Sequence, residues 1–403
     1  MDPIFAFLIS MALVSLLIPR LGPFLSLLLS AISFGLMMGM EGELVGLISE
    51  GLGRIFSSLA LVVFSGAVLA EYLRETGATR RIVADILGVT RSGLLVSGIA
   101  GYVICLPVMC SLTAYMVLEP VVSDLGRRTE GSGRRALFMA AAGSLVSFNL
   151  VYPSPVMVSL AGALRLEPYD LLVMGLYLSA PLLLLSYLFM KHLHVELEER
   201  PKEDLAPLAG RVSSWLPPLL PLALILLGLM LGEAPIWADP GIALLLGALL
   251  GLTLRREGVQ GMVSAASRRA GVIMLDLCGA GAFGYVVGTS SLGTEIYSRG
   301  QVLPILLLPF LVSSALQLAQ GSRVVTVVVA SQILAGYPVD AMTLAFIIGA
   351  GAFMLSYVSD PYFWLIKRST GASMREMVLG YTLPLSLLGL AAFIIVAMLY
   401  RIR

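Results

Sequence analysis

Apolar runs of about 20 residues, the length that an α-helix needs to cross a bilayer, recur along this chain from Ile4 to Tyr400. No long polar stretch separates them. Charged residues make up only 13% of the 403 residues, whereas soluble proteins carry roughly 25%. A water-soluble fold is therefore excluded, and the whole chain is expected to form one membrane-embedded unit.

Charged residues and Gly or Pro breaks divide the apolar sequence into candidate spans and two interrupted stretches. The candidate spans lie near residues 4–19, 23–40, 52–73, 135–151, 171–190, 215–232, 240–254, 271–289, 341–358 and 377–400. The stretches 92–123 and 302–335 carry Pro, Gly, Ser or Gln near their middles. Non-helical backbone at membrane depth survives only inside protein or beside a cavity, so both stretches are predicted to be re-entrant hairpins. The expected fold is an all-α polytopic membrane protein with about ten transmembrane helices.

The distribution of positive charge predicts how these spans are oriented. Most of the 26 Lys and Arg residues fall on one face of this arrangement, which the positive-inside rule assigns to the cytoplasm. Residues 1–190 would form a first repeat, 191–214 a cytoplasmic linker and 215–403 a second repeat. Because each half holds an odd number of spans, the halves would be inverted repeats. Many transporters use such repeats to place a binding site at the bilayer midplane.

Few ionisable groups lie inside the predicted spans, and burial in lipid makes each of them a functional candidate. Arg323 lies at the expected tip of the second hairpin, where a guanidinium and free backbone N–H groups can hold a carboxylate. The alternative is a structural arginine paired with a buried acid. Asp276 and Asp360 are the candidate acids, and either could carry a proton or pair with Arg323. Asp360 is the stronger candidate because Pro361 should break the helix beside it, whereas Asp276 could be only the arginine's partner.

Polar side chains at the other expected helix breaks complete the candidate binding site. Hydroxyl and amide groups at unwound helix ends suit the hydroxyls of a sugar acid, or an ion. The candidates are Ser111, Thr113, Asn149, Ser154, Gln320, Gly321, Ser322 and Ser359. Glu71 lies nearer a predicted span boundary and is interpreted as a snorkelling side chain. No metal or other cofactor is expected, because the three cysteines and two histidines match no metal-ligand pattern.

Several of these segments match known motifs. Residues 278–284, CGAGAFG, resemble a GAGGAFG-type stretch, and residues 319–322, AQGS, resemble the motif RVAQGSAT. Residues 359–367, SDPYFWLIK, are similar to NDSGFWLVK, and the segments at Pro107 and Pro153 resemble an IPVFFD hairpin and an HGFLPPHPGP break. On these motifs the chain resembles the gluconate permease family, the GntP-like gluconate:proton symporters of the ion transporter superfamily. The similarity covers about residues 20 to 400.

The chain departs from this family's pattern at the residues expected to bind protons and the anion. Ser111 stands where the family's first hairpin has an acid, and Phe148 and Ser154 stand where its break has histidines. The arginine that precedes AQGS in the family is missing, while Arg323 follows that motif here. Asp276 occupies a position that is usually aliphatic. The resemblance therefore implies transport with a rearranged anion clamp and a rearranged proton site.

Together these features predict a symporter that carries a small organic anion, gluconate-like by resemblance, with protons. The alternative is a sodium-coupled transporter of a dicarboxylate or an amino-acid-like solute. An enzyme is disfavoured because the sequence lacks HExxH and comparable catalytic motifs, and two offset hairpins favour gates over a channel pore. The expected location is a prokaryotic cell membrane, with lipid and the solute as partners and no nucleic acid. Superfamily relatives are often dimers, which makes a homodimer one expectation.

Overall fold

The computed structural model describes residues 1–89, 92–128, 133–193, 209–231, 235–255, 257–357 and 359–402. Within these ranges every regular element is helical. The first elements are α1 (Pro3–Met37), α2 (Leu44–Glu75), α3 (Ala78–Val89), α4 (Gly93–Val108), α5 (Ser111–Arg128), α6 (Gly133–Leu150), α7 (Pro155–Leu164) and α8 (Pro168–His192). They are followed by α9 (Arg211–Leu231), a 3-10 turn (Ile236–Ala238), α10 (Pro240–Leu254), α11 (Val259–Gly288), α12 (Leu292–Gly300), α13 (Leu307–Gln320), α14 (Arg323–Ile333), α15 (Ala341–Gly351), α16 (Pro361–Thr370), α17 (Met374–Met377), a π-helical turn (Val378–Thr382) and α18 (Leu383–Ile402).

Many of these helices have the length and apolar composition of membrane spans. In the described ranges, seven segments qualify: Pro3–Met37, Leu44–Glu75, Gly133–Leu164, Pro168–His192, Arg211–Gly228, Val259–Gly288 and Met374–Arg401. Shorter apolar helices accompany them, among them α4, α10, α13, α14 and α15. Large apolar side chains such as Leu16, Tyr177 and Met230 lie exposed on the outside of the bundle. These side chains suit contact with lipid rather than water, and the chain is a multi-pass, all-α membrane protein, as predicted.

Helix α1 covers two of the predicted spans because it breaks at Gly22. The φ of 76° and ψ of 170° at this residue lie outside the helical region, and Pro23 follows. Near the start of α1, Asp2 accepts a hydrogen bond at 2.6 Å from Arg299 of α12, the helix that follows α11. Near its end, Gly35 packs against Leu44 at the start of α2. The part of α1 before Gly22 therefore starts at the same end of the bundle as the part after Gly22 finishes.

The antiparallel pair α2 and α11 forms the centre of the molecule. A Cβ on Gly51 would lie 2.5 Å from the carbonyl oxygen of Gly281, so the two backbones touch. Towards one end the guanidinium of Arg54 lies over the ring of Tyr285 at 4.6 Å. Small residues permit such close approach, which is the main source of attraction between helices in lipid. This pair provides a rigid wall for the elements that break inside the membrane.

Two helical hairpins interrupt the bundle. Helices α4 and α5 are joined by Met109, with a φ of 55°, and Cys110. Helices α13 and α14 are joined by Gly321, with a φ of 71°, and Ser322. Both junctions fall inside the interrupted stretches 92–123 and 302–335. The division into inverted repeats and the homodimer stay predictions, and residues 194–208 of the expected linker lie outside the described part of the chain.

Two further helix breaks lie opposite the hairpins. Helix α6 ends at Leu150 and α7 starts at Pro155, while α15 ends at Gly351 and α16 starts at Pro361. Proline at the first position of a helix costs no hydrogen bond, and it hinders continuation of the preceding helix. The predicted span 341–358 is therefore too long, because helical structure ends seven residues earlier than expected.

Ion pairs tie the helices together at the end of the bundle opposite Arg54 and Tyr285. Glu71 is 1% exposed and contacts Arg74 at 2.6 Å and Arg269 at 3.1 Å, which joins α2 to α11. Glu75 pairs with Arg255 of the segment after α10. The snorkelling interpretation of Glu71 is wrong, because its carboxylate points into protein and not towards water. The positive-inside rule assigns this end to the cytoplasm.

Asp85 links α3 to α9 and supports a prediction about pH. It accepts hydrogen bonds from Trp215 Nε1 at 3.0 Å and Arg211 Nε at 3.1 Å. The Trp215 bond and the charge of Arg211 hold the pKa of this carboxyl below its ordinary value.

A carboxyl with a lowered pKa stabilises the folded protein fully when the pH is above the ordinary pKa. This stabilisation is lost as the pH falls through the lowered pKa. Asp85→Asn is expected to reduce the melting temperature in detergent by roughly 2–4 °C at pH 7.

The deficit of Asp85→Asn should shrink as the pH falls below the ordinary carboxyl value of about 4, and it should be lost below the lowered pKa, where the folded wild-type carboxyl is also protonated. Asp170→Asn is the matched control, because Asp170 is exposed in the first turn of α8. A deficit that is the same at both pH values would contradict a role for the Asp85 charge.

Candidate functional site

Four helices begin around one cavity near the middle of the bundle. The cavity has a volume of about 240 Å³, and the first residues of α5, α7, α14 and α16 all line it. The first N–H groups of a helix lack partners within that helix, and the helix dipole adds roughly half a positive charge there. The helix dipoles and the uncapped N–H groups at the start of α14 therefore favour an anion in this cavity, whereas α7 and α16 begin with proline and are capped by Ser154 and Asp360.

Arg323 is the first residue of α14, is 4% exposed and lines the cavity. Its Nη2 donates hydrogen bonds to Ser356 Oγ at 2.8 Å and Tyr381 Oη at 3.1 Å, and lies 3.1 Å from Asp360 Oδ2. Its buried Nε has no hydrogen-bond partner among the residues that the structure describes. The guanidinium is thus anchored through one nitrogen and keeps a donor free.

Asp360 is the acid that pairs with Arg323. It is 1% exposed and caps α16, with Oδ1 accepting from the N–H of Tyr362 at 2.9 Å. Its Oδ2 accepts from the hydroxyl of Tyr381 at 2.6 Å. The suggestion that Asp276 is the arginine's partner is therefore not what the structure shows. Asp360 uses both oxygens to hold helix α16 and the guanidinium in place.

Asp276 lines the same cavity from α11. Its carboxylate accepts one hydrogen bond, from the backbone N–H of Phe24 at 3.2 Å, just after the break in α1. Across the described ranges, no Lys or Arg nitrogen lies within 4 Å of this carboxylate. Asp276 is therefore an acid without a close counter-ion beside an ion-paired site.

The tips of the two hairpins meet at this cavity. Ser111 and Thr113 line it from the start of α5, and Gly321 and Ser322 line it from the junction before α14. All four were proposed from the sequence as contacts for a solute. The structure thus places the hydroxyl groups of both hairpins within reach of one small molecule near Arg323.

Four other candidates from the sequence lie away from the cavity wall. The amide of Gln320 donates to Thr326 Oγ1 inside the second hairpin at 3.5 Å, and Ser359 donates to the carbonyl of Leu318. Ser154 caps α7, while Asn149 is fully buried with both amide atoms lacking partners in the described chain. Their assignment to solute binding stays a prediction.

Sequence reasoning missed three residues of the site. Ser356 and Tyr381 hold Arg323, although neither carries charge or stands in a recognisable motif. Arg269 lines the cavity and was counted only as a cytoplasmic cation. Arg269 and Asp276 are seven residues apart on α11, a spacing that places them on one helix face. That spacing could have predicted that Arg269 faces the same cavity as Asp276.

Comparison with known proteins places the chain in a family. The model of the GntP family permeases matches residues 3–231 and 229–402. The chain belongs to the GntP family. This permease is a transporter and not an enzyme, and its location in the membrane as a multi-pass protein agrees with the sequence-based expectation.

Two curated relatives of this GntP permease come from Escherichia coli strain K12. The low-affinity gluconate transporter is 26% identical over 419 residues, covering 93% of each chain. The D-serine transporter DsdX is 27% identical over 419 residues, again covering 93% of each chain. Among solved structures, the YdaH transporter of Alcanivorax borkumensis, described as having an unusual topology, matches with a TM-score of 0.63 and 16% identity. That match covers 90% of this chain and 88% of the YdaH chain, and it shows a similar fold.

Proposed function

We propose that this permease is a proton-coupled symporter of a small organic anion, a gluconate-like hydroxy-carboxylate. The observation that carries the proposal is the cavity where Arg323 and the first turns of four helices converge. Gluconate and D-serine, named for two relatives, share a carboxylate and at least one hydroxyl group. A cavity of about 240 Å³ suits a solute of that size.

In this proposal the carboxylate binds at the start of α14. The free Nε of Arg323 and the first N–H groups of α14 donate to it. Ser111, Thr113 and Ser322 then bind the hydroxyl groups of the solute. The hairpins act as gates that expose the cavity to alternate sides of the membrane.

The acid that we assign to the proton is Asp276 and not Asp360. Both oxygens of Asp360 are already engaged, by Arg323 and Tyr381 on one side and by the first turn of α16 on the other. Protonation of Asp360 would therefore break the ion pair that holds Arg323 in place. Asp276 has one weak contact, lies on the cavity and can gain or lose a proton without breaking an ion pair. A carboxylate that becomes neutral beside the bound anion would also remove a like-charge repulsion.

Asp276→Asn is therefore expected to retain exchange of the solute across the membrane and to lose its proton-driven accumulation. Counterflow of the solute between equal concentrations should continue at a rate within about threefold of wild type. The proposed contacts between the protein and the solute do not include Asp276, so none of them is lost. Uptake driven by a proton gradient should fall at least about tenfold. Both are measured in proteoliposomes with labelled solute. Unchanged accumulation in this variant would remove Asp276 from the coupling mechanism.

The competing proposal is a sodium-coupled carrier of an amino-acid-like solute or a dicarboxylate, and the D-serine transporter among the relatives favours the former. Uptake of labelled solute by proteoliposomes separates the two, because symport of one proton with one gluconate monoanion moves no net charge and would give no steady current. Gluconate, D-serine and succinate would be supplied in turn under a proton or a sodium gradient. Saturable gluconate uptake that needs a proton gradient but no sodium is the expected result. Uptake of D-serine alone, or uptake that requires sodium, would overturn the main proposal.

A further inference from the structure

A second cavity opens at the outer end of the bundle, opposite the cluster around Glu71. Its volume is about 490 Å³, and it lies among α2, α7, α11 and α14. Arg54 and Ser58 line it from α2, Arg165 from the end of α7 and Tyr285 from α11. None of the candidate site residues from the sequence lines this cavity.

The charged residues among the described lining of this outer cavity are both arginines, and one of them has no carboxylate partner. Arg54 and Arg165 line it, and no Asp or Glu does so. Arg54 is held by Glu50 at 2.5 Å and by the ring of Tyr285. Arg165 caps α7 with a φ of 55°, and among the described residues no carboxylate lies within 4 Å of it. Arg165 therefore supplies a positive charge that the protein itself does not neutralise.

The wall of this cavity is mixed, with apolar side chains such as Val158 and Val328 beside several polar ones. Ser57, Ser58, Ser331 and Gln332 line it. The side-chain oxygen of Gln332 is buried and has no hydrogen-bond partner in the described chain. An unpartnered buried amide oxygen is unfavourable unless a ligand or water donates a hydrogen bond to it. The cavity thus offers positive charge for an anion and hydrogen-bonding groups for hydroxyls.

The outer and central cavities are stacked along the same helices. On α14, Val325 lines the central cavity and Val328 the outer one. On α7, Pro155 lines the central cavity and Val158 the outer one. Three residues of helix advance about 4.5 Å, so the partition between the cavities is about one helical turn thick.

We propose that the outer cavity is a second binding site for the carboxylate solute, held by Arg54 and Arg165 before the solute passes to the central cavity. This inference rests on the proposed function for the class of solute. The site would raise the local concentration of anions at the outer gate.

The test measures the electrostatic potential in the cavity through the rates at which charged reagents label a cysteine, and it does not depend on transport. Ser58→Cys, in a protein whose three native cysteines are replaced by alanine, is reacted with an anionic sulfonatoethyl and a cationic trimethylammonioethyl methanethiosulfonate. Among the described residues, the Ser58 hydroxyl donates to carbonyls of its own helix, so this change is mild. The anionic reagent is expected to react about tenfold faster than the cationic one, after correction for their rates with a free thiol. Adding Arg165→Gln should reduce this ratio at least about threefold.

Ser298→Cys is the matched control, because Ser298 is exposed on α12 and does not line the cavity. The ratio of its labelling rates with the anionic and the cationic reagent should be unchanged by Arg165→Gln. Gluconate should slow the labelling of Ser58→Cys and leave Ser298→Cys unaffected. A preference that ignores Arg165, or labelling that gluconate does not slow, would overturn the outer site. Failure of the proposed function is measured separately, as the absence of proton-driven uptake of labelled gluconate by the wild-type protein.

Discussion

Replacing Arg323 with glutamine is expected to reduce solute transport to below about 1% of the wild-type rate. The substitution removes the donor proposed for the carboxylate and leaves Asp360 buried without its counter-charge. Breaking a buried ion pair from one side costs about 3–5 kcal/mol. Uptake by proteoliposomes, normalised to the amount of folded protein, measures the effect. Arg299→Gln is the control, because Arg299 is half-exposed near the end of α12 and pairs with Asp2 and Glu295, away from the cavity.

The double variant Arg323→Gln with Asp360→Asn separates a binding role from a structural one. Neutralising both partners removes the unpaired buried charge, so thermal stability should recover most of the loss caused by Arg323→Gln alone. Transport should stay absent, because the guanidinium that meets the anion is still missing. Recovery of transport together with stability would show that Arg323 is only a structural partner of Asp360.

Gly321→Ala is expected to prevent the second hairpin from seating and to abolish transport. The added Cβ would lie 2.1 Å from the carbonyl oxygen of Ser359, far inside contact distance. Gly321 also has a φ of +71°, a conformation that costs a residue with a Cβ about 1–2 kcal/mol. The hairpin tip would have to withdraw from Asp360, which removes Arg323 from its partner. A melting temperature lower by about 8 °C or more, with no measurable uptake, is the expected result in detergent and proteoliposomes.

Gly336→Ala provides the matched control for the hairpin tip. Gly336 has a φ of +79°, but a Cβ there would meet nothing within 4 Å. The two substitutions therefore impose the same backbone cost and differ only in the steric contact with Ser359. Gly336→Ala should retain transport and lose only about 2–4 °C in melting temperature. Equal losses in the two variants would show that the hairpin tip does not press against the Ser359 segment.

Much of the architecture follows from local properties of the sequence. A run such as Leu44–Glu75 predicts a spanning helix because length and apolarity act within a single segment. The breaks at Gly321 and Pro361 were visible because glycine and proline act on their own backbone and that of their immediate neighbours. Arg323 and Asp360 stood out for the same reason, since a charge inside an apolar run is costly wherever the segment packs.

The sequence by itself therefore determined that the chain is a membrane protein, and it identified the two hairpin breaks and the buried charges of Arg323 and Asp360, but not the burial of Glu71. Only the tertiary structure decided which of those residues meet. Asp360 and not Asp276 pairs with Arg323, Arg269 faces the cavity, and Gln320 turns into its own hairpin. These outcomes depend on the rotation and depth of helices that are distant in sequence. Packing between helices sets both, and the hydropathy of a single segment does not encode them.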